Sequence, residues 1–240
     1  IPRGWSGRLL MLGVLGGAQG AVGWWMVHSG VATDTLTHVA SYRLAVHLGL
    51  AFAILGLIAW YVMLLARSEA ALLRARRAGE RRLFSAATGL MHLAFLQILL
   101  GALVAGIDAG RQYTGWPTMG GEWIPDALWD PDLGWRNFFE YAAMVQFVHR
   151  MIGYVLAALA VLVWWRGRGS AHPQTRCAFT AMLVMVAVQI GLGILNVVHA
   201  SPLSLALIHQ VGAVALFVLI LRARLHARYP YETSVRGTTK

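Results

Sequence analysis

Four of the nine histidines fall inside long apolar stretches: His47, His92, His149 and His209. A titratable ring at membrane depth is expensive to bury, so each is a functional candidate by default. The other five, His28, His38, His172, His199 and His226, fall near the ends of such stretches and are expected to be solvated or interfacial. Depth separates the four. His47, His149 and His209 come six to nine residues into their stretches from one side, about 9–13 Å in at 1.5 Å per residue. His92 enters from the opposite side and lies out of that plane.

Three imidazoles at one depth on neighbouring helices suit axial ligation of haem iron, which takes a neutral ring from each face. The residue four positions on is small in each case (Ala51, Gly153, Ala213). It lies on the same helical face and leaves room for a flat macrocycle. Arg43 stands one turn above His47, and Arg150 adjoins His149. Guanidinium groups there would match haem propionates, although Arg43 would serve equally as an interfacial anchor. Gln146, three residues before His149, would support that ligand or bond a neighbouring helix. Two other readings stay open: three histidines bonded to neighbouring helices, and a non-haem metal site. The second lacks any Asp, Glu or Cys at this depth.

The elements that must hold these rings are membrane helices. Of 240 residues, 58% are hydrophobic and only 12% charged, and the mean hydropathy is +0.60. These values exclude disorder, a coiled coil and nearly any soluble fold. A lone cysteine, Cys177, excludes a disulfide framework and a cysteine-based metal or iron–sulfur centre. Six apolar spans, at about 9–28, 42–66, 83–107, 141–165, 177–199 and 203–221, each approach or exceed bilayer length. The expected fold class is all-α, a polytopic membrane helical bundle.

The net charge of +10 comes from 19 Arg and one Lys. In a soluble chain it would suggest nucleic acid. Here the basic residues gather between spans, so no nucleic-acid role is expected. Arg3 and Arg8 precede the first span; Arg67, Arg74, Arg76, Arg77, Arg81 and Arg82 follow the second; Arg166, Arg168 and Arg176 follow the fourth. Arg222, Arg224, Arg228, Arg236 and Lys240 follow the sixth. The positive-inside rule places these segments in the cytoplasm. The loop 108–140, with Asp108, Glu122, Asp126, Asp130, Asp132 and Glu140, then lies outside, as does the turn holding Asp34. This loop carries Trp116, Trp123, Trp129 and Trp135 and is expected to fold as a lid or lie in the interface. Asp108 and Glu140 read as solvated loop acids, with proton relay as the alternative.

A weak repeat runs through the chain: Gln19-x-x-x-Gly23, Gln97-x-x-x-Gly101 and Gln189-x-x-x-Gly193, with a span carrying His47 after the first and His209 after the third. The last four spans then form one complete unit, and the first two the end of an earlier copy. Two further helices are expected ahead of residue 1, and the chain, starting Ile-Pro without Met, shows no cleavable signal peptide. The organisation expected is 1–66 as the remainder of an N-terminal half, 67–82 as an Arg-rich linker, 83–225 as a four-helix bundle with its outer loop, and 226–240 as a tail.

The stretch Gly101-Ala-Leu-Val-Ala-Gly-Ile-Asp-Ala-Gly110, the loop Tyr113-Thr-Gly-Trp-Pro-Thr-Met119, Asn137-Phe-Phe-Glu140 and Val145-Gln-Phe-Val-His-Arg150 resemble the haem A synthase family of proteobacterial and mitochondrial type. Tyr42-Arg-Leu-Ala-Val-His-Leu48 and His209-Gln210 resemble its other histidine motifs, and the resemblance runs from about residue 8 to 225. It implies eight helices in two pseudo-symmetric halves, of which these six would be the third to eighth. It also implies that His149 and His209 hold a resident haem b. His47, with Arg43, would belong to the half assigned to the haem O substrate. The family's remaining histidine and an acidic residue thought to act in catalysis have no match here, so no catalytic residue is assigned. A cysteine pair found in some relatives is absent, so that redox feature cannot operate.

The activity implied is oxidation of a methyl group of haem O to a formyl group, giving haem A for terminal cytochrome oxidase. Haem O synthase, oxidase assembly factors, membrane lipid and a second copy of the chain are the partners it suggests. A bacterial cell membrane is favoured over the mitochondrial inner membrane. The rival is non-catalytic: an electron-transfer cytochrome or a haem-handling protein. A proton-coupled transporter would need paired intramembrane carboxylates, which are missing.

Overall fold

The computed structural model describes residues 4–31 and 40–231. Arg3, Asp34, His38, Arg236 and Lys240 lie outside the described residues. The helices are α1 (Ser6–Val31), α2 (Ser41–Leu65), α3 (Glu69–Arg77), α4 (Arg81–Gly106), α5 (Asn137–Glu140), α6 (Ala142–Arg168), α7 (Pro173–Val198) and α8 (Leu203–Arg228). Six of them, all but α3 and α5, are long and apolar enough to cross a membrane. No strand occurs among the described residues. The protein is an all-helical, polytopic membrane bundle, as its composition requires.

The spans match the apolar stretches to within a few residues except at the Arg-rich end. The sixth stretch stops at 221 because hydropathy falls at Arg222, yet α8 continues to Arg228. Arginine is a good helix former, and positive charge is favoured in a last turn. Arg224 also lays its guanidinium over the rings of Trp60 and Phe84, at 4.6 and 4.4 Å, and donates to Thr88 Oγ1 at 2.9 Å. Helix α3 was not foreseen, although its signals are present. Ser68 caps it by accepting from the Ala71 N–H, Glu69 sits in its first turn, and Arg74, Arg76 and Arg77 sit in its last.

The extra turns of α8 overturn one expectation. His226 is buried, at 4% exposure, rather than solvated. Its carbonyl accepts from Thr175 Oγ1, and its ring packs 5.4 Å from that of Tyr231. Arg67 holds the chain there by donating to the Tyr229 carbonyl at 2.6 Å and covering the Tyr231 ring at 4.3 Å.

Helices α4, α6, α7 and α8 pack against one another, α2 lies along α4 and α8, and α1 packs on α2. Lipid tails are as apolar as leucine, so close van der Waals fit holds such helices together. Small buried residues supply it: Ala87, Ala160 and Ala223 have no exposed surface, and Gly167 meets Phe179 so closely that a Cβ would lie 2.6 Å from its ring. Phe52 and Phe217 meet edge to face at 5.7 Å at the centre of the core.

The long loop between α4 and α6 has its own framework. Asn137 is fully buried and donates to the carbonyls of Asp130 and Gly134, each at 2.7 Å, while its Oδ1 accepts from the Asp130 N–H at 2.9 Å. Tyr141 donates to the Ala127 carbonyl at 2.9 Å. Arg136 and Glu140 pair one helical turn apart, and that hydrogen bond lifts the guanidinium further above its ordinary value.

Candidate functional site

His47 lies six residues into α2, His149 seven into α6 and His209 six into α8. All three rings therefore sit about 9–11 Å from the long-loop end of their helices. The equal depth read from the sequence follows from helices that begin together at that end.

His149 and His209 line one cavity of about 460 Å³ enclosed by α4, α6, α7 and α8. That lies within the roughly 300–1,000 Å³ typical of ligand pockets. Its walls are largely apolar, with Val104, Leu156, Val186 and Phe217 among them. Its polar groups gather near the long-loop end, where Asp108, Arg111, Gln146, Arg150, Asn196 and Ser201 line it. His47 is not among the lining residues. It faces α1, apart from the other two.

Each ring rests in a notch on the preceding membrane-crossing helix. An added Cβ at Gly101 would lie 3.2 Å from His149 Cε1; at Gly193, 3.1 Å from His209 Cε1; at Gly23, 3.0 Å from His47 Cε1. One turn along the same face stands a glutamine. Gln97 Nε2 donates to the His149 backbone carbonyl at 3.0 Å, Gln189 Nε2 to that of His209 at 2.8 Å, and Gln19 Nε2 to that of His47 at 3.2 Å. Gln19 and Gln97 also reach the rings: Gln97 Nε2 is 3.3 Å from His149 Nε2, and Gln19 Nε2 is 3.2 Å from both ring nitrogens of His47. The repeat Gln-x-x-x-Gly is thus a histidine seat built three times. Its spacing marked the repeat in the sequence but not its work.

The remaining candidates fall into place around the cavity. Gln146, 2% exposed, donates to the Tyr113 carbonyl at 3.0 Å, so it fastens the loop rather than a second helix. Arg150 donates to the carbonyls of Tyr113 and Gly115 at 2.9 Å and of Thr118 at 3.2 Å. Together they draw 113–118 down over the cavity, and Trp116 joins its lining. Arg43 donates to the Trp25 carbonyl at 2.8 Å and lies 4.6 Å over that ring, which joins α1 to α2. Ala213 lines the cavity. Gly153 does too, but the room it leaves is partly filled by Gln97 Nε2, 3.2 Å from where a Cβ would be. His92 is exposed and bonds the Thr88 carbonyl on its own helix at 2.9 Å.

These residues fit a bis-imidazole haem. Two neutral imidazoles from separate helices border one apolar cavity of suitable size. Each keeps a buried Nδ1 that no protein group satisfies, an arrangement that is costly without a further partner. Among the described residues no group of three or more His, Cys, Asp or Glu comes together that could hold a metal ion.

The chain is 75% identical over its whole length to the heme A synthase of Paracoccus denitrificans (strain Pd 1222), covering 63% of that protein. It is 59% identical over 239 residues to the heme A synthase of Roseobacter denitrificans, covering 99% of this chain and 63% of that one. To the heme A synthase of Cereibacter sphaeroides (strain KD131 / KCTC 12085) it is 52% identical over 248 aligned positions, covering all of this chain and 63% of the relative. It spans somewhat under two thirds of the length of these relatives. Residues 1–221 match the family described as cytochrome oxidase assembly protein, and the chain belongs to this COX15-CtaA family.

Proposed function

We propose that the chain carries the haem b half and part of the substrate half of a haem A synthase, an integral membrane oxidoreductase. The observation that supports this best is the convergence of His149 and His209 on one cavity. In this reading His149 and His209 hold haem b, which when bound supplies a one-electron redox centre. His47, with Arg43 nearby, takes the iron of the haem O substrate in the other half. The overall change is R–CH₃ + H₂O → R–CHO + 4 H⁺ + 4 e⁻, with the electrons passing to an external acceptor.

The chain's own residues bind and orient. The two imidazoles would hold a macrocycle by its iron, the apolar walls would exclude water from the site, and Arg150 holds 113–118 across the opening. Arg150 and Arg111 place positive charge where a macrocycle's carboxylates would be recognised. Gln146 keeps the loop in register with α6. Asp108, 47% exposed and 3.6 Å from Arg111, acts as a solvated mouth residue.

Residues 1–66 form the end of the N-terminal half, 67–82 the linker, and 83–225 the haem b half. The Arg-rich end faces the cytoplasm of a bacterial cell and the long loop faces outward. Haem O synthase and oxidase assembly factors are the partners of this reading, with a homo-oligomer compatible with it.

Pigment extraction with mass analysis, on protein expressed with a haem O supply, tests the proposal. Haem b together with haem A or its hydroxylated precursor is the expected result. Haem b with unaltered haem O would leave a non-catalytic haem protein. Full haem b in His149→Ala or His209→Ala would overturn the ligand pair.

A further inference from the structure

We infer that Gln97 and Gln189 are positioning residues, which set the imidazole orientation of His149 and His209 from the helix opposite. This rests on the reading of those histidines as haem ligands.

The argument begins with replication. Three glutamines on α1, α4 and α7 donate to the backbone carbonyls of three histidines on α2, α6 and α8, and no other residue type takes the position. A helix carbonyl at that point already accepts from the N–H four residues on, so helix formation does not require the second donor. A helix interface also needs no amide there, because leucine would fill the space. In each case the amide carbon chain leaves Oε1 buried without a partner, at Gln19, Gln97 and Gln189 alike. An unsatisfied buried oxygen is costly, and three at equivalent positions mark a feature kept for something other than packing.

The seats also have room cut for the glutamines. A Cβ at Gly153 would come within 3.2 Å of Gln97 Nε2, and at Gly212 within 2.2 Å of Gln189 Oε1. The glycine four residues along the glutamine's helix removes the other obstruction, and at His149 the amide reaches the ring as well, with Gln97 Nε2 3.3 Å from Nε2. Each ring has Gly101 or Gly193 beneath it and its own backbone held by the glutamine, and the His149 ring has the amide beside it too. For a ligand imidazole, ring orientation and the hydrogen bonds around it tune the metal, and removal of such support typically weakens binding about 10- to 100-fold.

The test compares wild type with Gln97→Leu, Gln189→Leu, Gly153→Ala and His149→Ala in purified, haem-loaded protein. The readouts are haem stoichiometry, haem loss to apomyoglobin, the low-spin electron paramagnetic resonance g values and the midpoint potential. Gln97→Leu and Gln189→Leu should keep haem at first but release it about tenfold faster or more, with shifted g values. Gly153→Ala should shift the same signals while retaining Gln97, and it carries the test if Gln97→Leu does not fold. Unchanged release, g values and potential in folded, haem-loaded variants would overturn the positioning role. Haem retained undiminished in His149→Ala would instead overturn the ligand assignment, which separates the two failures.

Discussion

The guanidinium of Arg150 lies 2.9 Å from the backbone carbonyl of Tyr113, and this contact ties the helix bearing His149 to the loop over its cavity. Two more carbonyls, of Gly115 and Thr118, complete the clamp. A planar guanidinium can meet three carbonyls at once, whereas an ammonium has no such fork. Arg150→Ala should therefore release the loop, raising amide exchange across 113–118, and destabilise the protein by about 2 kcal/mol. Arg150→Lys should fall between. Exchange in Arg150→Ala that matches wild type would show that the clamp holds nothing.

If His149 and His209 hold the haem, His149→Ala and His209→Ala should each lower haem content and replace the low-spin spectrum with a high-spin one, because a single imidazole would remain to hold the iron. His92→Ala is the control. Its ring is exposed and bonds its own helix, so the absorbance spectrum should stay at wild-type intensity.

Two glycines on α7 should respond in opposite ways. A Cβ at Gly193 would touch the His209 ring at 3.1 Å, while nothing lies within 4 Å of a Cβ at Gly191. Gly193→Val should displace the imidazole and lower haem content severely. Gly191→Ala should leave haem unchanged and raise helix stability by about 0.5–1 kcal/mol. Equal haem loss in both would mean the seat is not where the sensitivity lies.

The loop framework hangs on Asn137. Its Ala variant loses two donors and one acceptor in a fully buried position, so thermal stability should fall by about 2–3 kcal/mol. Proteolytic cutting should appear within 126–137, with haem binding less affected than in Arg150→Ala. A loop as resistant as wild type would refute this.

Most of the fold could be read from hydropathy, because a bilayer permits few structures and the six spans had the length of crossing helices. Equal depth along their spans also singles out His47, His149 and His209 in the sequence. Three things escaped. Helix α3 carries too few apolar residues to register in a pattern tuned to membranes, though Ser68 and Glu69 announce it. His226 is expected to be solvated because it lies at the end of the last apolar span, whereas α8 continues to Arg228 and the fold lays Arg224 and Arg228 over aromatic rings. Arg150 beside His149 suggested propionate recognition. Its hydrogen bonds to three loop carbonyls depend on where 113–118 returns, which no local pattern encodes. The glutamines were visible as a repeat, but that each bonds the histidine of the following long helix is a fact of packing.

The seats also bear on the order in which the protein is made. The partners of each seat are separated by 28, 52 and 20 residues, always on consecutive membrane-crossing helices. A ribosome delivers such a pair to the translocon as one hairpin. His47 can be seated before α4 is synthesised, and His149 before α7 exists. The two histidines of the cavity are thus set independently, each by its own hairpin, and meet only when α8 arrives. On the proposed reading of these histidines, haem capture would be the last act of assembly rather than a template for it.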